Sequence, residues 1–483
     1  MIFNSIAFFI FFAVVLAVLY IFPPKYRWLW VLICSTFFYA WAQPAYVLIP
    51  FAISVITYYA GIAIENAPSQ QGKKKIFGAA VAVILATLIF FKYTNFFTAT
   101  FTDFFNFISQ RIFHSPETIS NSLLINLAAP LGISYITFQS IGYLIEIKRE
   151  DEKAEKHFGH FATYLLLFTK VIAGPVERAH HFLPQLQQPA KITYENFVAG
   201  GRQMLWGLFK KIVVADRLAL YVGAVYNNYT HHSGSTLFFA TVCYVFQIYA
   251  DFSGYTDMAL GFSKMMGYDL MPNFNRPLLA RSVTEFWRRW HISLSTWFAD
   301  YFYNPLAVAK RDWGLWAVIY ACFVTFTVLG FWHGANWTYI VFGFLQGLIL
   351  AIEILTRKQR KNMRKKIPVW LNDGAGILFT VAYFGFSSVF FRANTVTDAL
   401  AILNKILHFS GPFFFESASL LMFMLAGIFY IVAHDVKKEF FDSRFSLADN
   451  RYWIIRNAYY CLLIIIILVS GVFDGGEFIY FQF

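Results

Sequence analysis

Apolar residues run through this chain in long stretches separated by short polar connectors. The stretches lie at 3–22, 28–42, 45–64, 76–97, 123–146, 204–226, 236–252, 315–331, 335–354, 374–392, 418–434 and 456–473. A helix that crosses a bilayer needs about 20 mostly apolar residues at 1.5 Å rise each, fewer where neighbouring protein shelters it. Each stretch is therefore a predicted span. The apolar segment 161–174 is short and reads as a re-entrant or sheltered helix. The first 22 residues lack an early Lys or Arg and a small-residue cleavage site, and Pro23-Pro24-Lys25-Tyr26-Arg27 follows them. They are expected to be a first span, not a removable signal peptide. No internal repeat is evident, which counts against transporters built from paired halves.

The connectors carry the orientation. Basic ones occur at 73–75, 147–156, 175–202, 257–313, 357–366 and 437–456, and positive-poor ones at 98–122, 227–235 and 393–417. With the N-terminus outside, about twelve spans place every basic connector in the cytosol and the C-terminus outside. The expected fold is an all-α polytopic membrane protein of about 11–12 transmembrane helices plus re-entrant or interfacial helices. It is read as one membrane domain over 1–483, in a bacterial cytoplasmic membrane.

Composition agrees. Of 483 residues, 58% are hydrophobic and 14% charged, with a mean hydropathy of +0.53, whereas soluble domains carry roughly 25% charged residues. The 58 Phe and 28 Tyr suit lipid contact and interfacial belts. A net charge of +12 raises nucleic-acid binding as a function, but the basic residues gather in the connectors as the positive-inside rule expects. No nucleic-acid partner is predicted. The densest cluster, Arg357-Lys358-Gln359-Arg360-Lys361 through Arg364-Lys365-Lys366, reads as an anchor on anionic lipid. Cys34, Cys243, Cys322 and Cys461 stand singly in apolar stretches, without disulfide or metal spacing, and read as small core fillers.

The stretch 257–313 departs from the pattern. It carries Pro272, Pro277 and Pro305 and is rich in Trp and Arg, too polar for an ordinary span and too aromatic for a free loop. Trp287, Trp290 and Trp297 with Arg288 and Arg289 suit helices at the interface or dipping into the protein. This stretch holds His291, and Gly330-Phe331-Trp332-His333-Gly334-Ala335-Asn336-Trp337 holds His333. An imidazole inside a membrane protein is costly and titrates near neutrality, so both histidines are candidates for proton chemistry. The glycines around His333 predict a helix break that admits a ligand. Neutral His333 can take a proton from a hydroxyl attacking an acyl carbonyl; the competing reading is a buried histidine bonded to a carbonyl.

On a helix, Trp287 and His291 share one face at i,i+4, so His291 either lines an aromatic-walled tunnel or belongs to an interfacial anchor. Arg288 and Arg289 suit donor phosphates or lipid headgroups equally. Asp251, at the end of an apolar stretch, is expected to pair with a nearby arginine. Asn336 or a backbone amide is a candidate oxyanion donor. His180, His181, His231 and His232 lie in polar connectors without metal-ligand spacing. Walker A, Rossmann, G-x-S-x-G and HExxH patterns are absent, which leaves solute-coupled transport open. Charge concentrated in connectors, not spread through the spans, argues against it.

With those residues in hand, the chain resembles the membrane-bound O-acyltransferase family, in its bacterial alginate O-acetyltransferase branch. The matching motifs are Ala173-Gly174-Pro175-Val176-Glu177-Arg178, the run Asp251-Phe252-Ser253-Gly254-Tyr255-Thr256-Asp257, the two Trp-His motifs, and the closing Phe478-Ile479-Tyr480-Phe481-Gln482-Phe483. The resemblance implies a ring of helices around a thin centre pierced by a tunnel. It implies that His333 is the catalytic histidine and His291 the second active-site histidine; Trp287, Trp290, Trp332, Asn336, Arg288, Arg289 and Asp251 are the candidates for lining the tunnel. It further implies acetyl-CoA as cytosolic donor with no bound cofactor, a polysaccharide acceptor outside, and an extracytoplasmic partner of the SGNH hydrolase type. Tyr480, in the tail 474–483, would relay the acyl group, or the tail is an aromatic anchor. Alternatives are D-alanyl transfer to teichoic acid from a carrier protein, a polysaccharide or lipid transporter, and a scaffold without chemistry.

Overall fold

A computed structural model describes residues 1–112, 129–172, 174–190, 192–441, 447–448 and 450–473. Every regular element among them is helical, and each of the twelve predicted stretches contains a helix. Eight helices among the described residues are long and apolar enough to cross a membrane. The remaining stretches fall short for separate reasons. Ile6–Ile21 and Arg27–Ala42 have 16 residues each. Ile133–Arg149 has 17 and is buried along nearly its whole length, as a helix sheltered by protein is. The 204–226 stretch belongs to a longer run, Tyr194–Leu208, Phe209–Ala215 and Asp216–Tyr226, whose middle section is a π-helix carrying Lys210 and Lys211.

The chain divides into two compact units: Met1 with Ala17–Ile172 and Val176–Ala190, and Ile2–Leu16 with Ala173–Pro175 and Lys191–Phe483. In the first, the segment expected to be re-entrant forms Phe158–Leu166 and Phe168–Val171, both buried. Its aromatic core surrounds Lys170, whose ammonium lies 4.3 Å from the Tyr164 ring and 4.9 Å from that of Phe182.

The second unit is built around Gly234–Met265, which runs past its predicted end at 252. Its inner half is polar in sequence but buried, because it packs backbone to backbone on Tyr194–Leu208. A Cβ on Gly207 would lie 2.5 Å from the Gly254 carbonyl oxygen, and one on Gly254 would lie 2.8 Å from that of Gly207. Small residues at such a crossing let two membrane helices approach closely. Three of the four cysteines are buried as expected; Cys461 is exposed instead, on the outer face of Trp453–Ser470.

Candidate active site

His333 ends a helical hairpin. Leu315–His333 and Trp337–Leu355 touch one turn before the histidine, where a Cβ on Gly330 would sit 2.8 Å from the Gly343 Cα. The predicted break is present: Gly334 is extended, and Asn336 caps the next helix, its side-chain oxygen accepting from the Thr338 amide at 3.0 Å. The Asn336 amide nitrogen donates to the Asn394 carbonyl at 2.9 Å, which ties the turn to the segment that follows Val369–Arg392. His333 is buried, its ring centroid 5.0 Å from that of Trp332 and 5.3 Å from that of Phe391.

The expectation that His291 shares a helical face with Trp287 is overturned. Val283–Arg289 stops before it, Ile292–Phe298 begins after it, and His291 itself is left-handed at φ 45°, ψ 54°. A residue distant in sequence imposes the break. Asn273 accepts from the Ile292 amide through its carbonyl at 2.9 Å and from the Ser293 hydroxyl through its side chain at 2.9 Å. A non-glycine residue in this region stores of order 1–3 kcal/mol of strain, and such residues cluster at functional sites. The break aims the imidazole inward, with Phe252 edge-on at 4.6 Å and Trp332 at 6.4 Å. Burial foremost, and then the neighbouring His333, hold the His291 imidazole well below its ordinary pKa. A neutral ring is the form that can accept a proton.

Trp287, Trp290 and Trp297 are buried, not interfacial. Trp287 donates to Gln346 at 3.2 Å, and Trp290 stacks on Phe286 at 5.4 Å. Arg289 meets Glu285 at 2.6 Å and Glu439 at 2.8 Å, which ties down its guanidinium. Arg288 faces a different environment, at the mouth of a cavity.

Asp251 pairs with a lysine, not with an arginine. Lys211 stands 2.7 Å from Asp251 and 2.7 Å from Asp216, all three side chains at most 5% exposed. Beside them Lys210 reaches Asp257 at 2.5 Å and Ser253 at 2.9 Å. The close approach of the two helices at Gly207 and Gly254 brings Lys211, not an arginine of the following segment, within reach of Asp251. The sequence held a signal for this network: two lysines and Asp216 inside a predicted span are intramembrane charges and call for partners.

Two cavities flank the histidine pair. One, of about 790 Å³, is polar, bounded by Lys211, Asp216, Asp251, Asn336 and Arg392, and it reaches Gly334 directly after His333. The other, of about 520 Å³, is mostly apolar and runs along Leu315–His333 as far as Leu329, with Trp287 and Ile292 across it. The structure thus gathers His291, His333, Trp287, Trp290 and Trp332 in one aromatic cluster. Asp251 and Asn336 fall on the polar side and Arg288 on the apolar side. Tyr480 and the tail 474–483 lie outside the described residues.

Residues 148–393 match the membrane-bound O-acyltransferase family model. Over 355 residues the chain is 37% identical to the "Probable alginate O-acetylase AlgI" of Pseudomonas aeruginosa, covering 73% of this chain and 66% of that protein. It thus spans just under two thirds of that relative. It is 30% identical over 419 residues to the peptidoglycan O-acetyltransferase of Helicobacter pylori, covering 80% of this chain and 75% of the relative. The teichoic acid D-alanyltransferase of Bacillus subtilis is 29% identical over 272 residues, 54% of this chain and 67% of that one.

Proposed function

The chain belongs to the membrane-bound O-acyltransferase family, and on that premise we propose that it moves an acetyl group from cytosolic acetyl-CoA to a hydroxyl on an extracytoplasmic polysaccharide. It does so as a multi-pass protein of a bacterial cytoplasmic membrane with both termini outside. The observation that carries this reading is the convergence of His291 and His333, from separate segments, on one aromatic cluster beside a polar cavity.

His333 takes the proton of the acceptor hydroxyl as its oxygen attacks the thioester carbonyl. The tetrahedral adduct collapses, the carbon–sulfur bond breaks, and the imidazolium returns the proton to the leaving thiolate. Protons balance within one turnover. His291, held neutral and inward, positions the donor or polarises its carbonyl. The oxyanion is stabilised by a backbone amide or by the second N–H of the Asn336 side chain, whose other N–H is held by the Asn394 carbonyl.

Tyr480 accepts the acetyl group first and delivers it to an SGNH-type partner outside. Support comes from the tether before the tail. The Ile212 carbonyl, in the π-helix next to Lys211, accepts from the Val472 amide at 2.9 Å, and Arg217 donates to the Ser470 carbonyl at 2.5 Å. These bonds hold Ser470 and Val472, the residues leading toward the tail, on the helical run that carries Lys211.

The test is the acetyl-ester content of the native glycan. His333→Ala is expected to lower transfer by about 10²–10⁴-fold, and Tyr480→Phe to stop delivery to the glycan. Unchanged esters in the first variant reject the histidine mechanism; unchanged esters in the second remove only the relay.

A further inference from the structure

We propose that a further cavity of the second unit, about 400 Å³ in volume, holds the phosphate headgroup of an anionic phospholipid between Arg202 and Lys438. The site goes beyond the acyl-transfer reading above and does not depend on it.

Charge defines the occupant first. Of the cations that line the cavity, two are already committed, Lys210 to Asp257 at 2.5 Å and Arg276 to Glu439 at 2.7 Å. The lining carboxylates are committed as well. Asp257 accepts from Gln203 at 3.1 Å besides its lysine, and Asp435 accepts from the Tyr249 hydroxyl at 2.7 Å. Arg202 and Lys438 are left over. Among the described residues neither has an ion pair, and the Arg202 guanidinium lies 5.3 Å over the Tyr460 ring. The cavity therefore carries surplus positive charge and asks for an anion.

Position along the helices names the source of that anion. Arg202 stands just before the apolar stretch 204–226, and Lys438 just after the stretch 418–434. Spans end on such residues where they meet the headgroups. The basic connectors 175–202, 257–313 and 437–456 all lead to this end of the bundle. Trp206, Tyr459 and Tyr460 add the rings that favour the same interface. Leu463 also lines the cavity, ten residues into Trp453–Ser470 or about 15 Å at 1.5 Å per residue, so the space continues below that level. Two of its walls, Ala418–Phe440 and Trp453–Ser470, are spans with most of their surface uncovered by protein. A soluble anion would have to enter the apolar layer to fill this space. A phospholipid already lies there, with its phosphate level with the two cations, and basic pockets between membrane helices take anionic headgroups.

The test titrates phospholipids onto the full chain in detergent and reads its denaturation midpoint. Phosphatidylglycerol is expected to raise the midpoint saturably. Phosphatidylethanolamine, which carries the same phosphate but is zwitterionic, should need about tenfold more for the same shift. In the Arg202→Gln/Lys438→Gln double variant, the phosphatidylglycerol needed for half the shift rises about tenfold and the preference between the two lipids is lost. The charge-keeping Arg202→Lys/Lys438→Arg variant retains both. A titration unchanged by the glutamine substitutions overturns the site. So does a wild-type chain that does not distinguish the two lipids, a result that stands even where the glutamine variant fails to fold. Stabilisation by inorganic phosphate or AMP, with none by phosphatidylglycerol, also overturns the proposal and assigns the cavity to a soluble anion. The readout is binding, so a chain that transfers no acetyl group would still give the phosphatidylglycerol shift, and the two readings fail separately.

Discussion

Lys210 and Lys211 sit inside the helical packing, 4% and 1% exposed; Lys210 closes on Asp257 and Lys211 on Asp251 of the neighbouring helix, Lys211 also on Asp216 of its own run. Arg288 and Arg357 stand exposed beside the apolar cavity, without ion pairs among the described residues. The lysines' positive charge is consumed in holding Tyr194–Tyr226 against Gly234–Met265. The arginines' charge enters no ion pair among the described residues and faces the surface. In a membrane protein an ionisable residue is commonly read as functional; here burial and pairing separate the structural charges from the accessible ones.

The largest effect expected from this contrast is at Lys211. Lys211→Met leaves Asp216 and Asp251 buried without their cation, which for a broken buried pair costs ~3–5 kcal/mol. The solubilised variant should denature at a much lower temperature or fail to accumulate; wild-type behaviour would show that the carboxylates do not depend on it.

The next effect is set by pH. His291 is neutral in the fold and its pKa is depressed, so the unfolded chain binds a proton that the folded chain does not. Stability is full above the unfolded value near 6.5 and falls as pH drops through the window below it. At about 1.4 kcal/mol per pH unit, the loss by pH 5 is at most about 2 kcal/mol. His291→Asn should remove this slope, as read from denaturation midpoints between pH 7 and 5. The smallest effect belongs to the arginines: Arg288→Gln and Arg357→Gln should each move stability by no more than about 0.5 kcal/mol. A larger loss would place them with the lysines.

The helices were legible because membrane spans announce themselves as uninterrupted apolar runs, and both histidines stood out against that background. What was not legible depended on partners far along the chain. The spacing of Trp287 and His291 suggested one continuous helix, but Asn273 closes hydrogen bonds that break it at His291. Asp251 was assigned an arginine because arginines crowd the following segment. Its lysine lies on another helix, brought within reach by Gly207 and Gly254. Arg288 and Arg289 were equivalent by sequence; Glu439, some 150 positions on, distinguishes them.

The left-handed twist at His291 also decides which replacements inform. His, Asn and Asp tolerate that conformation better than most side chains, while an alanine there would add a backbone penalty of about 1–2 kcal/mol. An alanine scan at this site would therefore mix a distorted main chain with a missing imidazole. Asparagine keeps the twist and removes the ring, and saturation mutagenesis of the codon should retain folded protein chiefly among asparagine and glycine, because a buried aspartate would add an unpaired charge.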